Sequence, residues 1–367
     1  MDILKLIDDI PDPRMHGKVV HSFGAIIFVS LCGILSNCES WSDIEDYCES
    51  KMEWLSQYVD LSNGAPSEWT FRRVFTSLDP DHIEYLLRTH AASIVGKGKV
   101  SDQIAVDGKA LCGSKSQDLR CLHSVSAWCH ENGLVLAEQQ IDSKSNEITA
   151  IPLLLSSLDL KGNTVTIDAA GCQKSIAKLI REKKGDYVLG LKRNHPKLYK
   201  AVEEFVKTKG ENAENRLDDA FDKGHGRLVR RRYFGYDVSS LPEIKEWFGA
   251  KTVVAVETIS SRNNDQIHKV SAEWRYYLSS HNSADTRITG YIRNHWGIEN
   301  KLHWVLDVHL KEDSDQKAER KSARSFAILR RIALNIVRSK DEKSKRSLRG
   351  RLKRSGWDDG YLLSLLT

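Results

Sequence analysis

Proline and cysteine are scarce, at 7 residues each in a chain of 367. Hydrophobic residues at 40% and charged residues at 29% exclude the disordered class, and no long linker interrupts the chain. The cysteines are odd in number and scattered, without a C-x-x-C pair, which excludes a disulfide framework and the common zinc modules. Cys121, His123, Cys129 and His130 are neighbours in sequence, but their spacing is wrong for structural zinc. Long apolar runs are missing as well. The longest, residues 23–35, is shorter than the roughly 20 residues a spanning helix needs, and Asp2, Asp8 and Asp9 precede it where a secretory signal would be basic. The expectation is a buried helix in a cytoplasmic protein with no membrane partner. The length leaves room for a sizeable core and two or three domains.

What the chain does have is uneven charge. Residues 317–354 hold fifteen Lys and Arg against Glu319, Asp341 and Glu342, a local +12, so the overall +5 leaves about −7 elsewhere. A basic segment beside an acidic body suits a polyanionic partner, because cations that neutralise phosphates release counterions.

The periodicity changes along the chain. Residues 1–95 read as an all-α N-terminal domain, with helical spacing at 23–35, 41–58 and 71–78. Ser67 is the expected N-cap of the third helix, and Arg72 and Arg73 are expected on its outward face, where a DNA-reading helix would place them. From about residue 96 to 340 the pattern becomes α/β with a mixed sheet: strands at 103–106, 122–127 and 134–140, a helix at 150–158, a strand at 164–167, a helix at 173–182 and a strand at 187–191. Residues 196–285 read as a strand-rich insertion, with runs at 231–236, 252–258 and 274–279. Helical spacing returns at 286–304, where Ile288, Ile292, His295, Glu299 and Leu302 fall on one face, so Glu299 is expected to point inward. Residues 341–367 are expected to form a basic tail.

Two aspartates end apolar strands, Asp107 before Gly108 and Asp168 before Ala169-Ala170-Gly171. Carboxyl ends of strands are where open α/β sheets bind ligands, and small neighbours admit a bulky phosphodiester. Singly, each is a common turn residue. With a glutamate on a facing helix they make three hard oxygen ligands of the kind Mg²⁺ or Mn²⁺ takes. Two such ions roughly 4 Å apart activate the attacking oxygen and stabilise the leaving one in phosphoryl transfer. Asp307, Glu312 and Asp313 are alternative third acids.

The strings AVDGKALCGS (105–114), TIDAAGCQKSIA (166–177), DYVLGLKRNHPKL (186–198), GHGR (224–227) and YIRNHWGIENKLHWVLDVHLKED (291–313) resemble bacterial insertion-sequence transposases of the H-repeat-associated family. IPDPR (10–14), WSDIEDYCE (41–49) and NGAPSEWTFRRVF (63–75) resemble the domain that precedes the catalytic one there. The resemblance implies an RNase H-like D-D-E core with Asp107, Asp168 and Glu299 as metal ligands, and two Mg²⁺ or Mn²⁺ ions per site. It implies double-stranded DNA as partner, both element ends and target, and a homodimer or higher assembly on DNA. Lys109, Lys192, Arg193, Asn194, His225, Arg227, Arg293, His295 and Lys301 are the donors in these motifs suited to DNA phosphates or bases. Cys112, Val229 and Glu68-Trp69 depart from the family's usual arginine, glutamate and His-Asp. The expected activity is cleavage at transposon ends followed by transfer of the 3′-hydroxyl to target DNA. The rival expectations are an RNase H-like nuclease without strand transfer and a DNA-binding relict without turnover.

Overall fold

A computed structural model describes residues 3–15, 17, 19–96, 102–114, 121–141, 146–212, 215–224, 227–264, 267–315, 317, 319–340 and 344–367; the side chains of 223–224, 227 and 261–270 lie outside the description. The chain opens with α1 (Ile3–Asp8), α2 (Phe23–Leu35), α3 (Trp41–Ser50), α4 (Met52–Leu55), α5 (Glu68–Ser77) and α6 (Pro80–Val95). It continues as β1 (Gln103–Leu111), β2 (Leu122–Cys129), β3 (Leu134–Ile141), α7 (Glu147–Ser156), β4 (Thr164–Ile167), α8 (Lys174–Glu182), β5 (Asp186–Leu191) and α9 (Pro196–Lys209). Then come β6 (Arg216–Gly224), β7 (Arg227–Asp237), β8 (Thr252–Asn264), β9 (Ile267–Ser279) and α10 (Arg287–His295). A π-helical turn (Ile298–His303), α11 (Trp304–His309), α12 (Arg320–Lys340), α13 (Leu348–Trp357) and α14 (Asp359–Leu366) complete it. Among the described residues no helix is long and apolar enough to cross a membrane.

The chain divides into two compact units, 1–101 with 108–146 and 299–367, and 102–107 with 147–298. The N-terminal helices thus share a unit with β2, β3 and the C-terminal helices. In that unit α2 is buried along nearly its whole length, with Ser22 capping it by accepting from Ala25 N at 3.1 Å. Around α12 the aromatic rings interlock: Trp41 stands edge-on to Phe326 at 4.7 Å and stacks on Phe75 at 4.6 Å. The strand order here is β3-β2 followed by the end of β1. Asn335 of α12 seals the β3 backbone, accepting from Val135 N and donating to Val135 O, both at 2.8 Å. Residues 348–366, read from the sequence as a basic tail, form α13 and α14, because Leu352, Tyr361, Leu362, Leu365 and Leu366 are buried.

The second unit carries the start of β1, then β4, β5, β9, β8, β7 and β6 in spatial order. β1, β4 and β5 are parallel neighbours, whereas β9 runs antiparallel to β5 and the last strands form a meander. α10 lies on this sheet, where Ile288, Tyr291 and Ile292 pack with Val188, Tyr233, Val254 and Val256. The segment read as an irregular, strand-rich insertion contains α9 and four strands, of which β6 carries a strongly charged sequence.

Candidate active site

Parallel register sets the first two acids side by side. Val106 pairs with Ile167, so Asp107 and Asp168 are the next residues on adjacent strands, which are spaced about 4.8 Å apart. Alternation puts Gln103, Ala105 and Asp107 on the same face as Thr164, Thr166 and Asp168. α10 contacts β4 there. Gln103 Nε2 donates to Thr166 Oγ1 at 3.1 Å and to the Tyr291 carbonyl at 2.8 Å, and the Tyr291 hydroxyl donates to Asp102 Oδ2 at 2.8 Å. Thr166 Oγ1 also lies 3.0 Å from His295 Nδ1.

The Asp168 carboxylate is fixed by its own loop, Oδ1 accepting from Ala170 N at 2.9 Å and Gly171 N at 3.4 Å. Gly171 is required by packing: a Cβ there would stand 2.3 Å from Ile167 Cγ2 and 2.8 Å from Ile151 Cδ1. The segment after β5 braces the same loop. Asn194 Nδ2 donates to the Ala169 carbonyl at 2.7 Å, and His195 Nε2 meets the Cys172 carbonyl at 2.5 Å. Burial, with the Asp168 charge assisting, pushes the Cys172 thiol up to about 12, so it is no nucleophile.

These contacts revise several sequence expectations. Asn194 is exposed and its amide nitrogen is engaged by the loop backbone. His295 is held neutral in the free chain, because burial pulls its pKa down to about 4 against the pull of Asp168. Lys109 is enclosed, with Asp307 Oδ1 at 2.6 Å, Asp313 Oδ1 at 3.1 Å and Glu312 Oε2 at 3.6 Å. Burial opposes its charge, yet Glu312, Asp307 and Asp313 raise its pKa above the ordinary lysine value. Lys109 is therefore surrounded by carboxylates; Asp307 and Asp313 pair with it, and Glu312 pairs more closely with Arg331. Arg293 lies over the Tyr233 ring and 3.4 Å from Asp218. Lys192, Arg193 and Lys301 are exposed, as are Arg72 and Arg73 on α5. Ser67 is the N-cap of α5, without a side-chain cap bond. His225 and the side chain of Arg227 lie outside the described residues.

Glu299 is exposed, contrary to the inward face expected for it. The physical reason is the π-helical turn: each of its turns takes up an extra residue, which rotates the side-chain phase, so that Ile298 is buried together with Leu302, the latter as expected, while Glu299 faces out. Among the described residues no group of three or more His, Cys, Asp or Glu stands close enough to hold a metal ion. Asp107 and Asp168 alone supply adjacent, half-buried oxygen donors, a fit to a hard divalent cation that leaves positions for water and phosphate.

Sequence reasoning passed over Gln103, Thr166 and His195 as supports for this site. Their signal was present, since His195 is inside the KRNHP string and Thr166 stands two residues before Asp168 on the same face.

Two family descriptions match the chain, "DDE_Tnp_1-associated" over residues 4–91 and "Transposase DDE domain" over residues 98–336. The "H repeat-associated putative transposase YhhI" of Escherichia coli K12 is 36% identical, covering 100% of this chain and 98% of its own. The "Putative transposase YncI" of Escherichia coli O157:H7 is 37% identical over 92% of this chain and 87% of its own. Among solved structures, the piggyBac transposase in a synaptic complex with hairpin DNA matches at 12% identity with a TM-score of 0.42, over 99% of this chain and 78% of that one. With full-length relatives and a domain match across most of its length, the chain belongs to the DDE-domain transposases, with H-repeat-associated kin.

Proposed function

We propose that this transposase cleaves DNA at the ends of its own element and transfers the freed 3′-hydroxyl to target DNA, with Asp107, Asp168 and Glu299 as ligands of two Mg²⁺ or Mn²⁺ ions. The observation that carries the reading is the β1–β4 register, which makes Asp107 and Asp168 neighbours at strand ends. When bound, the metal supplies Lewis-acid stabilisation of charge on the phosphoryl oxygens. The chain's own residues position. Backbone amides of Ala170 and Gly171 hold one Asp168 oxygen and so orient the other. Asn194 and His195 keep that loop in place, and neutral His295 adds no charge to compete with a cation beside Asp168. Lys192 and Arg193, exposed on the segment that braces the loop, are the cations free to meet phosphates. Glu299 enters through the motif it shares with the family. Joining two ends requires both to be held at once, so the working species is a dimer or higher assembly on DNA.

The test is nicking and joining of a labelled duplex bearing the element's ends, with Mg²⁺ or Mn²⁺, by wild type, Asp168→Asn and Glu299→Gln. Metal-dependent cut and joined strands from wild type alone support the proposal. Cutting without joining would convert the reading to a nuclease, and full activity of Glu299→Gln would move the third ligand to another acid. DNA binding without any products would leave a relict.

A further inference from the structure

Among the fifteen cations of residues 317–354, two groups stand apart in the fold. Lys317, Arg324, Arg330 and Arg331 are largely buried and paired with Asp315, Asp81, Glu138 and Glu312. Arg354 is paired with Asp358 at 3.0 Å. The buried pairs hold the fold together and are not available to a partner, whereas Arg354 pairs at the surface. Lys345, Arg346, Arg349 and Lys353 differ: all are exposed, and among the described residues none makes an ion pair. Arg349, Lys353 and Trp357 recur at four-residue spacing, so they form one stripe of α13, and Arg346 precedes it just before the Ser347 cap. Trp357 at the far end is 76% exposed.

The placement of these charges runs against helix electrostatics. The amino end of a helix is its positive pole and favours anions, yet α13 has no acid in its first turn, has Arg349 and Arg351 there, and has Lys345 and Arg346 immediately before it. A concentration of cations on a positive pole destabilises the free protein and is relieved when an anion docks. Arg349 is also near enough to His309 of α11 to help burial lower the pKa of that histidine, with Lys311 adding to the effect.

We propose that this end and stripe of α13, Arg346, Arg349 and Lys353, form a contact surface for the phosphate backbone of DNA, separate from the carboxylate site. The occupant follows from charge complementarity: successive cations one helical turn apart present a row of donors to a row of phosphates, and the indole N–H of Trp357 adds another donor. Contacts of this kind give affinity without reading sequence. The inference rests on DNA being the partner and does not depend on which acids hold metal.

The experiment measures binding of full-length Asp168→Asn protein, which retains this surface, to labelled end-bearing duplex and to a random duplex of the same length, between about 50 and about 200 mM salt. The triple variant Arg346→Ala/Arg349→Ala/Lys353→Ala is compared with Lys197→Ala/Lys200→Ala/Lys207→Ala, which removes three exposed cations of α9. With about 0.9 of salt slope per phosphate contact, the α13 variant is expected to lose about 3 in slope, and to weaken equally on both duplexes. The α9 variant is expected to change little. The single variant Arg349→Gln, expected to lose about 1 in slope, keeps the test informative where the triple variant fails to fold. An unchanged slope in the α13 variants, or an equal loss in the α9 variant, overturns the inference. Failure of the catalytic proposal shows elsewhere, as absence of metal-dependent products from wild type.

Discussion

Arg331→Met tests the charge network beneath β3 more sharply than any surface change. Arg331, Glu138 and Glu312 have no exposed side-chain area; Arg331 pairs with Glu138, and its Nη1 lies 2.5 Å from Glu312 Oε1. Removing the guanidinium leaves Glu312 with Lys109 at 3.6 Å and strips Glu138 of its principal counter-charge. Uncompensating a buried pair costs about 3–5 kcal/mol, which for a unit of this size is roughly 6–20 °C in Tm. The pH dependence carries a definite sign. Burial raises the Glu138 pKa against the opposing pull of Arg331, so the folded value exceeds the unfolded one. Stability from such an acid is fully present below the unfolded pKa and is lost as pH rises through the folded pKa. Without Arg331 the folded pKa climbs further, so the deficit of the variant relative to wild type is smallest near pH 5 and widest at neutral pH. Thermal melts of both proteins from pH 5 to 8 read this directly. A shift under about 2 °C at neutral pH, or a deficit that grows toward acid, would refute the pairing. Replacing all three residues, Arg331→Met/Glu138→Leu/Glu312→Met, is expected to recover most of the loss, since apolar packing can substitute for a buried triad.

Other outcomes follow from single contacts. Gly171→Ala places its Cβ into Ile167 and Ile151, and is expected to cost about 1–3 kcal/mol and slow cleavage, whereas Gly290→Ala, with open space around it, should stabilise α10 by about 0.5–1 kcal/mol; denaturant midpoints and nicking rates separate the two. Asn335→Leu leaves the Val135 N–H and C=O without their partner at a cost of roughly 1–3 kcal/mol per group, visible as faster amide exchange at Val135. His295 has a folded pKa of about 4, below the ordinary histidine value, so its neutral form supports folding above about pH 6.5, and that support is lost as pH falls toward 4, on the order of 3 kcal/mol. In His295→Leu the fall in Tm between neutral pH and pH 4.5 should shrink; an undiminished fall would mean that other groups govern acid sensitivity.

The parts of the fold that could be read from the sequence were those where one local rule acted alone. Thr164 to Ile167 is a short β-branched run bounded by turn residues, and the strand has those bounds. Residues 23–35 are apolar but for Ser30 and form a buried helix of the same length. Difficulty arose where tertiary pairing overrode local pattern. β1 continues past Asp107 to Leu111 because buried Lys109 finds three carboxylates, all about 200 residues away in sequence. β6 falls in the part of residues 196–285 where no strand-like run is legible, yet Asp219 and Asp222 are matched by Arg230 and Arg231 of β7, so its charges are neutralised only once the hairpin has formed. The Glu299 side chain was given the wrong face because a count at 3.6 residues per turn cannot anticipate a π-helical turn. For the site, strand-end aspartates were visible from pattern, but the division of the motif polar residues into loop braces and exposed cations depends on backbone carbonyls, which leave no mark in the sequence.

The Asn335 amide has a consequence for how copies of this protein meet. Val135 is rich in hydrophobic neighbours, Leu134, Leu136 and Ala137, on the last strand of its unit's order, and such an edge ordinarily invites a strand from another chain. Here the outward N–H and C=O of Val135 are already taken by a side chain that imitates a neighbouring strand for one residue. A strand arriving at this position would first have to evict α12, so β3 can keep its hydrophobic sequence without becoming a template for aggregation.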